Sequence, residues 1–427
     1  MTEAFLQYVW QYQLLEGPLT TVDGVSVTVQ SPGELNHDAG PDFIAARLLV
    51  GDVRWAGNVE VHVKSSDWTL HHHSSDKAYN NVVLHVVYHH DKEVALENGT
   101  TVPTLELKSF MMDALWDNYE ALLNPPQAKS IPCAPHCAAL SSLQMSSYMD
   151  RLLVERLQHK TDVVKRLLQE SKGSWEHCCY WLLAHYFGGK TNALAFELLA
   201  KATDMKLLAR WKDNPVRVEA LLFGQAGLLE GGFEDDYPLQ LQADYEALRA
   251  GAGLSPIAGY LWKFFRVRPP SFPTLRISQF AQLVSSTRNL FSKLLETTDA
   301  NKLVAFFDVE ASDYWTTHYQ FDKSSRACHK KAGRAFCEGL IINAWVPLLF
   351  EYGVQHDDQN YKDQAFDILN QLSPENNNVV RIWHQAGVEA QNAAQTQSLL
   401  QLYNEYCINR RCLRCRIGYY VIKNTER

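Results

Sequence analysis

The sequence lacks any long uninterrupted apolar run. Its longest, LIINAWVPLLF at 340–350, is broken by Asn343 and Pro347, short of the ~20 residues that cross a bilayer. The N-terminal stretch MTEAFLQYVWQYQLLEGP has no basic leader and carries Glu3, so it does not read as a secretory signal. Nine cysteines, an odd count without such a signal, argue against a disulfide framework. Low-complexity runs are missing too. ALLFGQAGLLEGG at 220–232 is glycine-rich, but no Lys-Ser/Thr follows, so there is no Walker A loop. GxSxG, HExxH and the kinase motif set are absent as well. These gaps leave the expectation of a cytoplasmic protein with no membrane partner.

Charge of one sign is also scarce where it would matter for wholesale nucleic-acid binding. The formal net charge is −8, which argues against polyanion binding by the whole surface. Two local segments are basic nonetheless: KSSRACHKKAGR at 323–334 and NRRCLRCRIGYYVIKNTER at 409–427. Such patches on an acidic chain suit a channel for nucleic acid, with ordinary solvated surface as the competing explanation. Arg266, Arg268 and Arg276 interleave with Phe264, Phe265 and Phe272. That pattern can stack bases, although it also packs helix ends.

What is present falls into two parts. Residues 4–15 have helical spacing, and valine-rich strand-like runs follow at 25–30, 43–50, 58–64, 82–88 and 102–107. A helix over 109–123 leads into NPPQAKSIPCAP, where proline ends it and marks a boundary. From Ser142 onward the segments are long and helical in period, without a fixed repeat. The expected fold is α/β plus all-α: a small mixed-sheet N-terminal domain over 1–125 and a large helical domain over 138–427.

In the strand NVEVHVK, alternation puts Glu60, His62 and Lys64 on one face and the valines on the other. A solvated face is the plain reading. If GDVR at 51–54 is a hairpin turn centred near Val53, Asp42 falls opposite Lys64 and Ala46 opposite Glu60. Glu34, Asn36 and Asp38 arrive from the preceding loop. Carboxylates meeting a lysine suit a hard divalent ion, with the lysine stabilising phosphate charge or positioning water.

The segment GPD, followed across a hairpin by an acid and a lysine, resembles the PD-(D/E)XK nuclease superfamily. That resemblance implies a restriction-endonuclease-like fold, Asp42 as the motif aspartate, Lys64 as the motif lysine and Mg²⁺- or Mn²⁺-dependent phosphodiester cleavage. The sequence departs from the pattern at His62, where the superfamily has an acid. Either Glu60 or Glu34 substitutes as ligand, or His62 coordinates and favours manganese or zinc, or catalysis is lost. Downstream, Asp67 and Asp76 are further candidates. Three adjacent histidines at 71–73 read as a solvated loop, and His85 as a hydrogen-bonded core residue.

Near the C-terminus, Cys407, Cys412 and Cys415 lie within nine residues. Their C-x-x-C portion can chelate one metal, with Cys133, Cys137, His136 or His384 as through-space candidates for a fourth ligand. The spacing loosely resembles the iron–sulfur knots of DNA repair enzymes; reduced cytosolic thiols are the plainer reading, and zinc or an iron–sulfur cluster is the alternative. HCCYW at 177–181 reads as core packing. Taken together, NHDAGPDFIAAR, GNVEVHVKSSDW, AYNNVVLHVV, LLFGQAGLL, RPPSFPTLRISQFAQL and YCINRRCLRCRIG resemble one bacterial domain-of-unknown-function family; the resemblance implies a bacterial cytosolic protein and supplies no activity to carry over.

The leading expectation is a metal-dependent nuclease. Asp42, Glu60 and Asp38 are its candidate ligands, Lys64 the stabiliser, and Glu34 and His62 auxiliaries. The alternative is a non-catalytic scaffold that binds nucleic acid or protein through a degenerate nuclease-type domain. A third reading is a zinc hydrolase using Glu60, His62 and Asp76.

Overall fold

The structure is a computed structural model and describes residues 1–124, 131–287 and 289–424. Part of the expected proline-rich boundary, 125–130, lies outside the described residues. The chain groups into two compact units. The first is Met1–Met145 with Ile382–Val388 and Leu402–Arg427; the second is Ser146–Arg381 with Glu389–Gln401. The grouping is therefore discontinuous, unlike the contiguous 1–125 and 138–427 expected from sequence. The C-terminal residues belong with the sheet because their contacts are there. Asn118 Nδ2 donates to Ile422 O at 3.2 Å, and the Tyr419 ring packs against Tyr12 and Tyr8.

The first unit is built on a seven-stranded mixed sheet. Its strands are β1 (Leu19–Thr20), β2 (Ser26–Ser31), β3 (Glu34–Leu35), β4 (Phe43–Val50), β5 (Val53–Lys64), β6 (Val82–His89) and β7 (Thr104–Glu106). The order is β1-β2-β4-β5-β6-β7, with β3 also paired to β4. Pairing is antiparallel from β1 to β5 and parallel from β5 to β7. Six residues of β6 are buried in succession, as a strand covered on both faces requires. Helix α1 (Glu3–Gln11) buries Phe5, Leu6, Val9 and Trp10 completely.

The β4–β5 turn sets everything that follows. Val50 pairs with Val53, leaving Gly51-Asp52 as a two-residue turn with Gly51 at φ 58°. A positive φ is where glycine pays no Cβ penalty, and two-residue hairpins demand it. The turn therefore centres earlier than Val53. Phe43 meets Val59, after an irregularity between Phe43 and Ala46 where Ala45 has φ 57°. This corrects the expected register: Asp42 lies beside Glu60 and Val61, not opposite Lys64, and Ala46 faces Gly57, not Glu60. The parallel step from β5 to β6 needs a crossover. It is made by the short helix α2 (Asp67–Leu70) and single 3₁₀ turns at His73–Ser75 and Lys77–Tyr79.

The second unit is helical, as expected, with one short hairpin at His318–Gln320 and Lys323–Ser324. Its core gathers Tyr180, Phe187, Phe196, Phe223, Phe280, Trp315 and Trp345, all fully or almost fully buried. Cys178 and Cys179 are inside this core, in line with the packing reading. Among the described residues one helix, Arg334–Gln355, is long and apolar enough to cross a membrane. Leu340, Ile341, Trp345 and Leu349 on it are packed in the core.

Candidate metal centre

Strand β5 and the crossover after it bring four imidazole or carboxylate side chains to one place. Glu60 and His62 share a face of β5 and are buried. The crossover returns His71 and His73 to that face. The residue between them, His72, has φ 63° and is exposed, so the chain turns sharply and both neighbours aim at β5. The sequence reading took this triplet as a solvated loop, because three adjacent side chains cannot all point inward. Two can, when the middle residue is left-handed. His62, His71 and His73 each offer a ligand atom within 4.8 Å of the others.

The distances test whether one ion fits. His62 Nε2 lies 3.1 Å from His71 Nδ1. Glu60 Oε1 lies 3.6 Å from His62 Nε2 and 3.3 Å from His73 Nε2. Donors at bond lengths of 2.0–2.2 Å around a tetrahedral ion are roughly 3.3–3.5 Å apart. The three measured edges bracket that value. Among the described residues His73 Nε2 is buried and finds no hydrogen-bond partner, although a buried nitrogen normally has one. It faces the Glu60 carboxylate.

The surroundings keep His62 and His85 neutral. Burial, then His73 and His71, push the His62 pKa down to about 3. Burial, then His62, holds His85 well below the ordinary range. Neutral imidazole is the ligating form. His62 Nδ1 and His85 Nε2 are 2.9 Å apart. With the proton on His62 Nδ1, His62 Nε2 presents its lone pair to the pocket, an outer-shell arrangement common to metal-bound histidines. The His73 ring is stacked on Tyr79 at 3.8 Å and edged by Trp68 at 5.3 Å. Trp68 Nε1 donates in turn to Ser74 Oγ.

Asp42 stands behind Glu60. Its backbone N–H donates to Glu60 Oε2 at 3.0 Å, and its Oδ2 accepts from Val61 N–H at 3.0 Å. Gln7 of α1 donates to Oδ1 at 2.8 Å. Gly40, at φ 110°, and Pro41 set the chain entering this position. Both carboxylate oxygens of Asp42 are thus engaged, and Glu60 Oε1 is left to face the histidines. Burial and the neighbouring Glu60 push the Asp42 carboxyl up to about 7; a cation in the pocket opposes that shift.

The remaining sequence candidates separate from this group. Lys64 is exposed at the end of β5, in electrostatic reach of Asp91. Glu34 and Asp38 are exposed, the former on β3 and the latter in the loop where its N–H donates to Asn36 Oδ1. Asp67 accepts from Lys64 N–H, and Asp76 caps the 3₁₀ turn at Ala78 N–H. Cys407, Cys412 and Cys415 line a separate narrow pocket with Cys133. The signal that identifies the histidine group in the sequence is H-x₈-H-x-H from His62 to His73, directly after a strand.

Fold and site together define a two-unit protein whose sheet unit carries a buried imidazole–carboxylate pocket. Over residues 3–378 the chain matches the family described as protein of unknown function (DUF2851), and it belongs to that family. No curated protein and no solved structure matches it.

Proposed function

We propose that this protein is a metal-dependent hydrolase of phosphodiesters, with nucleic acid as its substrate class. The observation that carries the reading is the convergence of three imidazoles and the Glu60 carboxylate at ligand spacing. His62, His73 and Glu60 are the buried donors, a two-histidine, one-carboxylate set of the kind found at catalytic zinc sites. His71 is exposed and would be the donor most open to exchange with solvent. A zinc or manganese ion held there would supply an activated water near neutral pH and polarise the phosphoryl oxygen. Asp42 positions Glu60 and does not ligate.

The choice of substrate class rests on the topology. Helix α1, antiparallel β2, β4 and β5, and parallel β6 after a helical crossover resemble the PD-(D/E)XK arrangement, with Asp42 just before β4 and Glu60 on β5. His62 stands where that superfamily has an acid, and here it belongs to an imidazole set. Such a set favours zinc or manganese over magnesium.

Purified full-length protein assayed with single- and double-stranded DNA and RNA should cleave in Mn²⁺ or Zn²⁺. His62→Ala and His73→Ala should lose both the tightly held metal and the cleavage. Wild-type protein that retains no metal, or variants that cleave as well as wild type, would overturn the reading.

A further inference from the structure

A second cluster of ligand-type side chains lies in the same unit and takes no part in the histidine pocket. Cys133, Cys407, Cys412 and Cys415 line one narrow pocket, along with Arg411, Tyr406 and Gly418. Cys137 is adjacent, its Sγ donating to Cys133 O at 3.3 Å. The five sulfurs are electrostatic neighbours. Burial, then Cys415, Cys412 and Cys137, raise the Cys407 thiol, and burial and Cys415 push Cys412 up to about 11. Five of the nine cysteines thus meet from two segments remote in sequence.

We propose that Cys133, Cys407, Cys412 and Cys415 hold an iron–sulfur cluster that fastens the C-terminal segment to the sheet unit. Three observations favour a cluster over a single ion. First, spacing: among the described residues only the histidine trio brings three ligand atoms within 4.8 Å of one another, so no three of these sulfurs are mutually that close. Thiolates on one tetrahedral zinc, with bonds of ~2.3 Å, are roughly 3.8 Å apart. A cluster distributes its thiolates over several irons and holds them farther apart.

Second, sequence: Cys407, Cys412 and Cys415 read C-x₄-C-x₂-C with a remote fourth cysteine, the ligand spacing of plant-type ferredoxins, although here the fourth ligand precedes the run. Third, charge: Arg410, left-handed at φ 53°, lies close enough to Cys407 and Cys412 to favour their thiolates. Its Nη1 is buried without a hydrogen-bond partner. A cluster's thiolate and sulfide sulfurs supply the anionic acceptor that this guanidinium lacks, in the way hydrogen bonds to sulfur tune such centres. Gly418 completes the pocket: a Cβ there would lie 2.1 Å from Cys412 O, so only glycine lets the C-terminal helix, Arg416–Asn424, approach the ligand loop this closely.

The test is purification of the full chain without oxygen, followed by reconstitution with ferrous iron and sulfide. The expected result is iron and acid-labile sulfide bound together, with broad visible absorption from sulfur-to-iron charge transfer. Acid-labile sulfide separates this cluster from iron held by the histidines, which bind no sulfide. Cys412→Ser and Cys415→Ser should lose the sulfide and keep the histidine-bound metal. Exposed Cys328→Ser should keep both. Wild-type protein that takes up no sulfide, or that binds one zinc per chain through these cysteines, overturns the proposal whatever the folding of the variants. So does a Cys412→Ser, Cys415→Ser double variant that retains full sulfide.

Discussion

The histidine pocket and the cysteine nest are two ligand clusters in one structural unit, built in opposite ways. The pocket takes all its donors from one stretch, Glu60 to His73, on a strand and the crossover that follows it. The nest joins Cys133 to a run beginning at Cys407, so it exists only when distant parts of the chain have come together. The pocket offers nitrogen and oxygen at single-ion spacing; the nest offers sulfur, more widely spread. A contiguous ligand set is positioned by local geometry, here one left-handed residue between two histidines. A discontinuous set is positioned by packing, and closing it constrains a long loop.

The largest expected effect is a double dissociation between the two clusters. His62→Ala or His73→Ala should weaken zinc or manganese binding by more than about 100-fold, since losing a direct ligand exceeds the ~10–100-fold cost of losing an outer-shell partner. The sulfide content of the nest should not change. Metal analysis of each variant reads both clusters at once. Loss of both contents in one variant would show that they are a single cooperative site, and the comparison would collapse.

Acidity should separate them next, with opposite signs in the metal-free protein. His62 is held neutral, with its pKa lowered from 6.5 to about 3. The unfolded chain takes up a proton first as pH falls, so the stability that His62 contributes is complete above about 6.5 and is lost between there and about 3. The loss is on the order of 5 kcal/mol. Cys412 is raised from 9.0 to about 11. Its contribution is complete below 9 and disappears as pH rises towards 11, on the order of 3 kcal/mol. Denaturant titrations of His62→Phe and Cys412→Ala against pH check this. The first variant should flatten only the acid limb, the second only the alkaline limb.

A smaller effect concerns the residue behind the pocket. Asp42→Asn keeps the backbone donor to Glu60 but alters the carboxylate bonded to Val61 and Gln7. Metal affinity should fall by about 10-fold, in the range measured for outer-shell partners. Gln7→Ala removes one hydrogen bond and should cost about 0.5–1.5 kcal/mol, visible in calorimetric metal binding. A loss from Asp42→Asn as large as from His73→Ala would mean that Asp42 is itself a ligand.

The two clusters also differ in how far the sequence disclosed them. The division into sheet and helices was legible because valine alternation and helical period are local signals. So were Glu60 and His62, as neighbours on one strand face. Register was not, because it hinged on Gly51 taking a positive φ, which moved Asp42 from Lys64 to Glu60. His71 and His73 were hidden by the same kind of event at His72. In the nest, the C-x₄-C-x₂-C run was visible at once. That Cys133 joins it depends on the C-terminal segment grouping with the sheet, a tertiary fact with no local trace.

The smallest expected effect sharpens the comparison most, because it separates this pocket from a lysine-dependent nuclease. In the PD-(D/E)XK resemblance Lys64 stabilises the reacting phosphate, and its loss should abolish cleavage. In the structure Lys64 is exposed at the strand end beside Asp91, while His62, one turn of the pleat nearer the ligands, belongs to the imidazole set. An exposed lysine contributes to substrate attraction mainly through screened charge. Lys64→Ala should therefore raise KM by no more than about 3-fold at low salt, an effect that shrinks as salt is added, with kcat unchanged. Steady-state cleavage at two ionic strengths reads this directly. A collapse of kcat in Lys64→Ala would place the lysine at the reacting phosphate, and the histidines would then serve as scaffold for a carboxylate-bound ion.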